Sequence, residues 1–315
     1  GVSQDAVEHF LDPEDENMII DSLVYDGRMR TTPSHEFGSL QGGSLYTYLV
    51  GVLSDAGESD RSASLDVSTA APAPTGLMSV SQTTTGMELS WTAPEISSGE
   101  AVTGYKVYRD DGAGGAVDVV AYDSRENSGD LVATSCSVSG LTGGLTYAYQ
   151  VSALSLAGES DRSVAMESST APAQISGVSS SVQTTSSITL TWSAPTAAGA
   201  GQEATGYIVY RNDGLGGTSM STVGYDGRGV DVPTGVISGL VGGREYEFVV
   251  SGLSAGGEGD VSAVLHQSTS PAAPTALRST LQTTTSIALA RSAPVTEDGA
   301  SAVTGYVVYR NDGST

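Results

Sequence analysis

The segment TGYKVYRDDG, Thr103 to Gly112, returns as TGYIVYRNDG from Thr205 to Gly214 and as TGYVVYRNDG from Thr304 to Gly313. The spacing is about 100 residues, which is the length of a domain and too long for one turn of a solenoid. Two further markers keep the same order. LSWTAP (Leu89 to Pro94), LTWSAP (Leu190 to Pro195) and LARSAP (Leu289 to Pro294) precede the first marker. SLQGGSLYTYLV, GLTGGLTYAYQV and GLVGGREYEFVV place Leu40, Leu141 and Leu240 six residues before Tyr46, Tyr147 and Tyr246. A Gly-acid turn then closes each unit, at Gly57-Glu58, Gly158-Glu159 and Gly257-Glu258.

Inside each unit the apolar residues alternate, as strands buried on one face require. Met87, Leu89 and Trp91 fall on one side of a strand, and Ile188, Leu190 and Trp192 do so in the next unit. Tyr105 and Val107 share a face, as do Tyr147, Tyr149, Val151 and Ala153, matched by Tyr246, Phe248 and Val250. Forty glycines, only three phenylalanines and many β-branched residues suit strands and turns rather than helices. The expectation is an all-β protein with about seven short strands per unit, arranged as a two-sheet sandwich.

These markers resemble the fibronectin type III domain. An early strand bears a Trp with a Pro shortly after it (Trp91 and Pro94, Trp192 and Pro195), a GYxVYR strand follows, and the Leu-to-Tyr spacing is similar to that family's tyrosine corner. The resemblance implies tandem fibronectin type III-like (immunoglobulin-like) β-sandwiches in an elongated array, with each Tyr hydroxyl closing a loop between strands. It covers roughly residues 17–315 and says little about function, because this fold hosts many roles. Residues 71–170 and 171–270 read as complete repeats. Residues 1–70 read as the late strands of a repeat, and 271–315 as the early strands. The half-cores expected there are Leu40, Tyr46, Tyr48 and Val50 in the first, and Ile287, Leu289, Tyr306 and Val308 in the last. The joints STAAPAPT, SSTAPAQ and STSPAAPT read as short, semi-rigid linkers.

The formal charge is −23, with Lys106 the only lysine against 36 acidic residues. Such a surface repels nucleic acid and anionic membranes, so neither is an expected partner. No stretch approaches the ~20 apolar residues of a membrane span, and the N-terminal string GVSQDAVEHFLDPEDEN does not read as a signal peptide. Cys136 is the only cysteine, which excludes an intrachain disulfide and a cysteine zinc site. Its neighbours read as a strand that makes it a small buried thiol.

No catalytic constellation emerges from the residue types. His9, His35 and His266 occupy unrelated positions in the repeat and lack metal-ligand spacing. The turns Asp110-Asp111-Gly112, Asn212-Asp213-Gly214 and Asn311-Asp312-Gly313 are foremost hairpin formers; weak calcium binding is the alternative, although calcium sites need spaced carboxylates. No other cofactor is expected. Tyr-Asp-x-Arg recurs as Tyr25-Asp26-Gly27-Arg28, Tyr122-Asp123-Ser124-Arg125 and Tyr225-Asp226-Gly227-Arg228. It reads first as a local Asp–Arg turn, and secondly as a repeated contact with a neighbouring domain or subunit. Arg291 stands where the whole repeats have Trp91 and Trp192, so it must tilt outward, find an acid, or face a different core. Ser and Thr beside Pro in the linkers are similar to glycan-bearing stalks.

The reading that follows is a non-catalytic structural or adhesive array of an extracellular filament, surface fibre or similar assembly. Its expected partners are neighbouring repeats and other subunits. The alternatives are a spacer or carbohydrate-binding region of a larger secreted enzyme, and an intracellular scaffold of ciliary or cytoskeletal type.

Overall fold

The computed structural model describes residues 34–126, 129–195, 204–294 and 302–311, with the backbone of short strands at 10–11 and 19–20. The chain divides into two compact units. One comprises residues 1–72, 94–103 and 153–161; the other comprises 73–93, 104–152 and 162–315.

In the first unit β1 (Phe10–Leu11) pairs antiparallel with β2 (Ile19–Ile20). Strands β3 (Leu45–Tyr48) and β6 (Leu65–Ser68) pair, as do β4 (Leu53–Ser54) and β5 (Gly57–Glu58). Leu40, Val50, Val52 and Leu65 are exposed. A tight hairpin pairs Leu53 with Glu58, and the same pairing recurs between Leu154 and Glu159.

The second unit carries the strands of the two whole repeats, except for residues 153–161, which fall in the first. The first of these contributes β7 (Thr75–Gln82), β8 (Gly86–Thr92), β9 (Gly104–Arg109), β10 (Val119–Asp123), β11 (Ser135–Ser139), β12 (Thr146–Ser155), β13 (Gly158–Glu159) and β14 (Met166–Ser169). They form one sheet in the order β11-β8-β7 and another in the order β10-β9-β12-β13, with β14 also on β12. The second whole repeat matches strand for strand. Its elements are β15 (Ser176–Gln183), β16 (Ser187–Ser193), β17 (Gly206–Arg211), β18 (Thr222–Arg228), β19 (Thr234–Ser238), β20 (Glu245–Ser254), β21 (Gly257–Glu258) and β22 (Leu265–Ser268). Its sheets run β15-β16-β19 and β18-β17-β20-β21, with β22 on β20. Strands β23 (Thr275–Gln282) and β24 (Ile287–Ser292) repeat the pairing of β7 with β8.

The cores lie where the alternation puts them. Met87, Leu89 and Trp91 on β8 are buried, with Tyr105 and Val107 on β9 and Tyr147, Tyr149 and Val151 on β12. In the next repeat Ile188, Leu190, Trp192, Tyr207, Val209, Tyr246, Phe248 and Val250 form one cluster. Each fully buried Leu, Ile or Val is worth about 1.5–3 kcal/mol over an exposed one. Trp91 meets Tyr105 edge-on at 5.3 Å between ring centroids, and Trp192 meets Tyr207 at 5.1 Å. These edge-to-face contacts add to the burial term.

Arg291 keeps that partnership in a different chemistry. Its guanidinium carbon lies 3.6 Å from the ring centroid of Tyr306, the residue equivalent to Tyr105 and Tyr207. Of the expected alternatives, the side chain takes the outward one: it is exposed and stacked on an aromatic face rather than buried. Ile287, Leu289, Tyr306 and Val308 are likewise exposed.

Candidate functional site

The most uniform feature of the repeats is a clamp around the loop before the long strand β12 or β20. Tyr147 on β12 accepts the backbone N–H of Thr142 on its hydroxyl oxygen at 2.9 Å. Tyr246 does the same for Val241 at 2.9 Å, and Tyr46 for Gln41 at 2.8 Å. Each phenol thus satisfies a loop donor five residues upstream, which is the closure that the Leu-to-Tyr spacing implies.

A threonine from the supposed linker completes the clamp. Thr170 Oγ1 donates to the carbonyl of Thr142 at 2.8 Å and accepts the N–H of Leu145 at 3.2 Å. Thr269 bonds Val241 and Arg244 in the same manner, and Thr69 bonds Gln41 and Ser44. Thr170 and Thr269 are buried. They belong to the sandwich, where their hydroxyls are taken up by these backbone bonds. A short Ser-x-x-Ser string after the Gly-acid turn also escaped the sequence reading. Ser160 and Ser163 accept the N–H groups of Ala153 and Val151 at 2.9 and 3.1 Å, doing with side chains what a regular strand would do with carbonyls.

The Tyr-Asp-x-Arg turns are local pairs wherever they are described. Asp123 accepts from Arg125 through Nε at 3.2 Å, Nη2 at 2.9 Å and the backbone N–H at 3.0 Å. The hydrogen bond from the Arg125 side chain holds its carboxyl below the usual value, against the opposing effect of burial. Burial pushes the neighbouring Tyr122 phenol upward. Ser124, the residue between them, is buried and accepts the N–H of Tyr105 at 2.9 Å. In the next repeat Asp226 accepts from Arg228 Nη1 and N–H, each at 3.2 Å, while the strand β18 runs on through Tyr225 to Arg228. Tyr25, Asp26 and Arg28 lie outside the described residues.

The acidic turns do not close two-residue hairpins. Asp110 opens the longer connection from β9 to β10, and its carboxylate accepts the N–H groups of Gly112 and Ala148, each at 3.1 Å. Asn212 spans the same gap to Gly214 and Glu247 at 3.1 Å. The next residues, Asp111 and Asp213, accept from Ala113 at 2.9 Å and from Leu215 at 2.8 Å. The bond from Ala113 lowers the Asp111 carboxyl. The residue type therefore serves a side-chain turn that ties two strands together. Asn311 is exposed, and Asp312 and Gly313 lie outside the described residues. Among the described residues no group of three or more His, Cys, Asp or Glu is placed to hold a metal.

Two nucleophile candidates are accounted for by packing. Cys136 lies on β11 opposite Leu89, and burial pushes its thiol up to about 12, far from a reactive thiolate. The string Gly252-Leu253-Ser254-Ala255-Gly256 has the Gly-x-Ser-x-Gly spacing of a hydrolase nucleophile elbow, a match that sequence reading passed over. That elbow needs a strand-to-helix turn, whereas Ser254 sits in the hairpin of β20 and β21 and accepts the N–H of Gly256 at 3.1 Å. Among the described residues no helix is long and apolar enough to cross a membrane.

Strand order, tyrosine corner and tryptophan position now meet in one comparison: the model of the fibronectin type III domain matches residues 72–169 and again residues 171–268. The chain belongs to the fibronectin type III family. Exoglucanase B of Cellulomonas fimi is 32% identical over 262 residues, covering 77% of this chain and 21% of the relative. Chitinase A1 of Niallia circulans is 34% identical over 202 residues, covering 61% of this chain and 25% of the relative. The chain therefore spans a quarter or less of each of these relatives. A segment of two fibronectin type III domains from chicken tenascin aligns with a TM-score of 0.32 at 20% identity, over 62% of this chain and 99% of that one.

Proposed function

We propose that these fibronectin type III repeats form a non-catalytic spacer within a larger secreted enzyme that degrades a structural polysaccharide. The observation that carries this reading is the pair of relatives, an exoglucanase and a chitinase, each matched over a minor part of its length. It favours the spacer over the filament or surface fibre that composition and repeat pattern suggest. The polar side chains support it as well: Tyr147, Thr170, Asp110 and Ser163 are occupied within their own repeat. The location that follows is extracellular. Arg125 and Arg228 keep more than half of their side chains in solvent, so the Tyr-Asp-x-Arg turns are the proposed contact points toward neighbouring repeats or other subunits.

The test is an assay of the purified chain on cellulose and chitin. The spacer reading expects no release of soluble sugar and no retention on either polymer. Retention that a soluble oligosaccharide competes away would identify a carbohydrate-binding module instead, and turnover abolished by a single substitution would overturn the reading entirely.

A further inference from the structure

The third repeat carries two glycines that the second does not. Gly256 and Gly259 stand where the second repeat has Ala157 and Ser160, on either side of the Gly-acid turn. Neither glycine is explained by backbone angle, because the left-handed residue of this turn is Gly257, with φ of 101°. What they share is a neighbour. A Cβ on Gly256 would lie 2.5 Å from the carbonyl carbon of Thr170 and 2.6 Å from the carbonyl oxygen of Ser169. A Cβ on Gly259 would overlap the carbonyl oxygen of Pro172 and sit 3.1 Å from its carbonyl carbon. Both obstacles are main chain, which cannot swing aside as a side chain would.

The segment resting on these glycines is the exit of the second repeat. Thr170 is held there by its own clamp, and Ala171 is fully buried. Gln174 Nε2 donates to the carbonyl of Val261 at 2.7 Å, and Ile175 is buried in the core of the third repeat. We propose that Gly256 and Gly259 form a seat for the main chain of residues 169–172, and that this seat fixes the third repeat on the end of the second.

The seat belongs to this joint alone among those described, since Ala157 and Ser160 carry the Cβ atoms it excludes. The joint ahead of the second repeat uses a different loop. There the carbonyl of Gly43 accepts the N–H groups of Ser97 at 3.2 Å, Ser98 at 3.4 Å and Gly99 at 3.0 Å. A Cβ on Gly99 would lie 2.7 Å from the carbonyl carbon of Gly43. Glycine again marks the point of contact, but from the loop after the tryptophan strand. The second and third repeats are therefore not interchangeable: their contact glycines sit in different loops. This inference deepens the spacer reading, because a spacer that holds its geometry needs fixed joints, yet its test involves no activity or ligand.

The experiment is residual dipolar coupling of the whole 315-residue chain, isotopically labelled, in a dilute alignment medium. For the wild type, couplings from residues 73–168 and 176–268 should fit one alignment tensor. In Gly256→Val and Gly259→Val the two sets should each still fit their own repeat, which shows that both are folded, while requiring separate tensors. Gln174→Ala, a surface change that leaves both cores intact, should separate them to a smaller degree, and Ala157→Gly should leave the wild-type tensor unchanged. Two tensors in the wild type, or one tensor retained in both valine variants with folded repeats, would overturn the proposal. If either valine variant loses the fit of its own third repeat, the Gln174→Ala result decides: an unchanged single tensor there would also overturn it.

Discussion

Thr170 Oγ1 donates to the carbonyl of Thr142 at 2.8 Å while Tyr147 accepts the N–H of that same residue at 2.9 Å. One loop residue is thus held from both sides, by the segment just after β14 and by the long strand β12.

Replacing Thr170 with Val keeps the shape and removes the hydroxyl. The N–H of Leu145 and the carbonyl of Thr142 then lose a buried partner, which costs about 1–3 kcal/mol. Denaturant unfolding followed by hydrogen exchange should place the loss in the second repeat. The same substitution at Thr269 should place it in the third.

Tyr147 and Tyr149 lie two residues apart on one strand and should respond in opposite directions to loss of the hydroxyl. Tyr147→Phe removes the corner bond and should destabilise by about 1–2 kcal/mol. The hydroxyl of Tyr149 is buried with no hydrogen-bond partner among the described residues, and burial drives its pKa well above the usual phenol value. Tyr149→Phe should therefore be neutral or stabilise by up to about 1 kcal/mol. The next repeat already has Phe248 at that position. Melting temperatures of the two variants, measured together, check the sign of each.

Trp91→Ala and Trp192→Ala each remove a core aromatic together with its edge contact to Tyr105 or Tyr207. Each should cost about 3–5 kcal/mol. Hydrogen exchange resolved by repeat should show protection falling first in the repeat that carries the substitution.

Acid should weaken the pairing of Asp123 with Arg125. The folded carboxyl titrates below its unfolded value, so its contribution is fully present above the unfolded value of about 4 and is lost as pH falls through the depressed folded value. Asp123→Asn should accordingly destabilise at pH 7, by about 1 kcal/mol or less because Arg125 is half exposed. The difference from wild type should shrink as the pH is lowered from 7 to 2. Urea unfolding at both pH values measures it.

The strands were legible because burial on one face leaves a period-two record, as in Met87, Leu89 and Trp91. The tyrosine corner was legible because one spacing recurs three times. What stayed hidden depends on contacts between residues far apart in the chain. Thr170 reads as part of a linker until its partner 28 positions away is known. Asp110 reads as half of a hairpin turn, yet its carboxylate reaches Ala148 on another strand. Gly256 passes for ordinary turn composition until the Thr170 carbonyl is found against it. The pairing of Asp123 with Arg125 was foreseeable, because two residues of sequence suffice to make it.

The measurement that bears most directly on the spacer account uses the full-length protein with residues 72–268 removed. Activity would be followed on a soluble oligosaccharide and on the insoluble polymer of the same sugar. The account predicts unchanged kcat/KM on the soluble substrate and a clear loss on the insoluble one. Equal loss on both substrates would contradict it, because the repeats would then be part of the catalytic machinery.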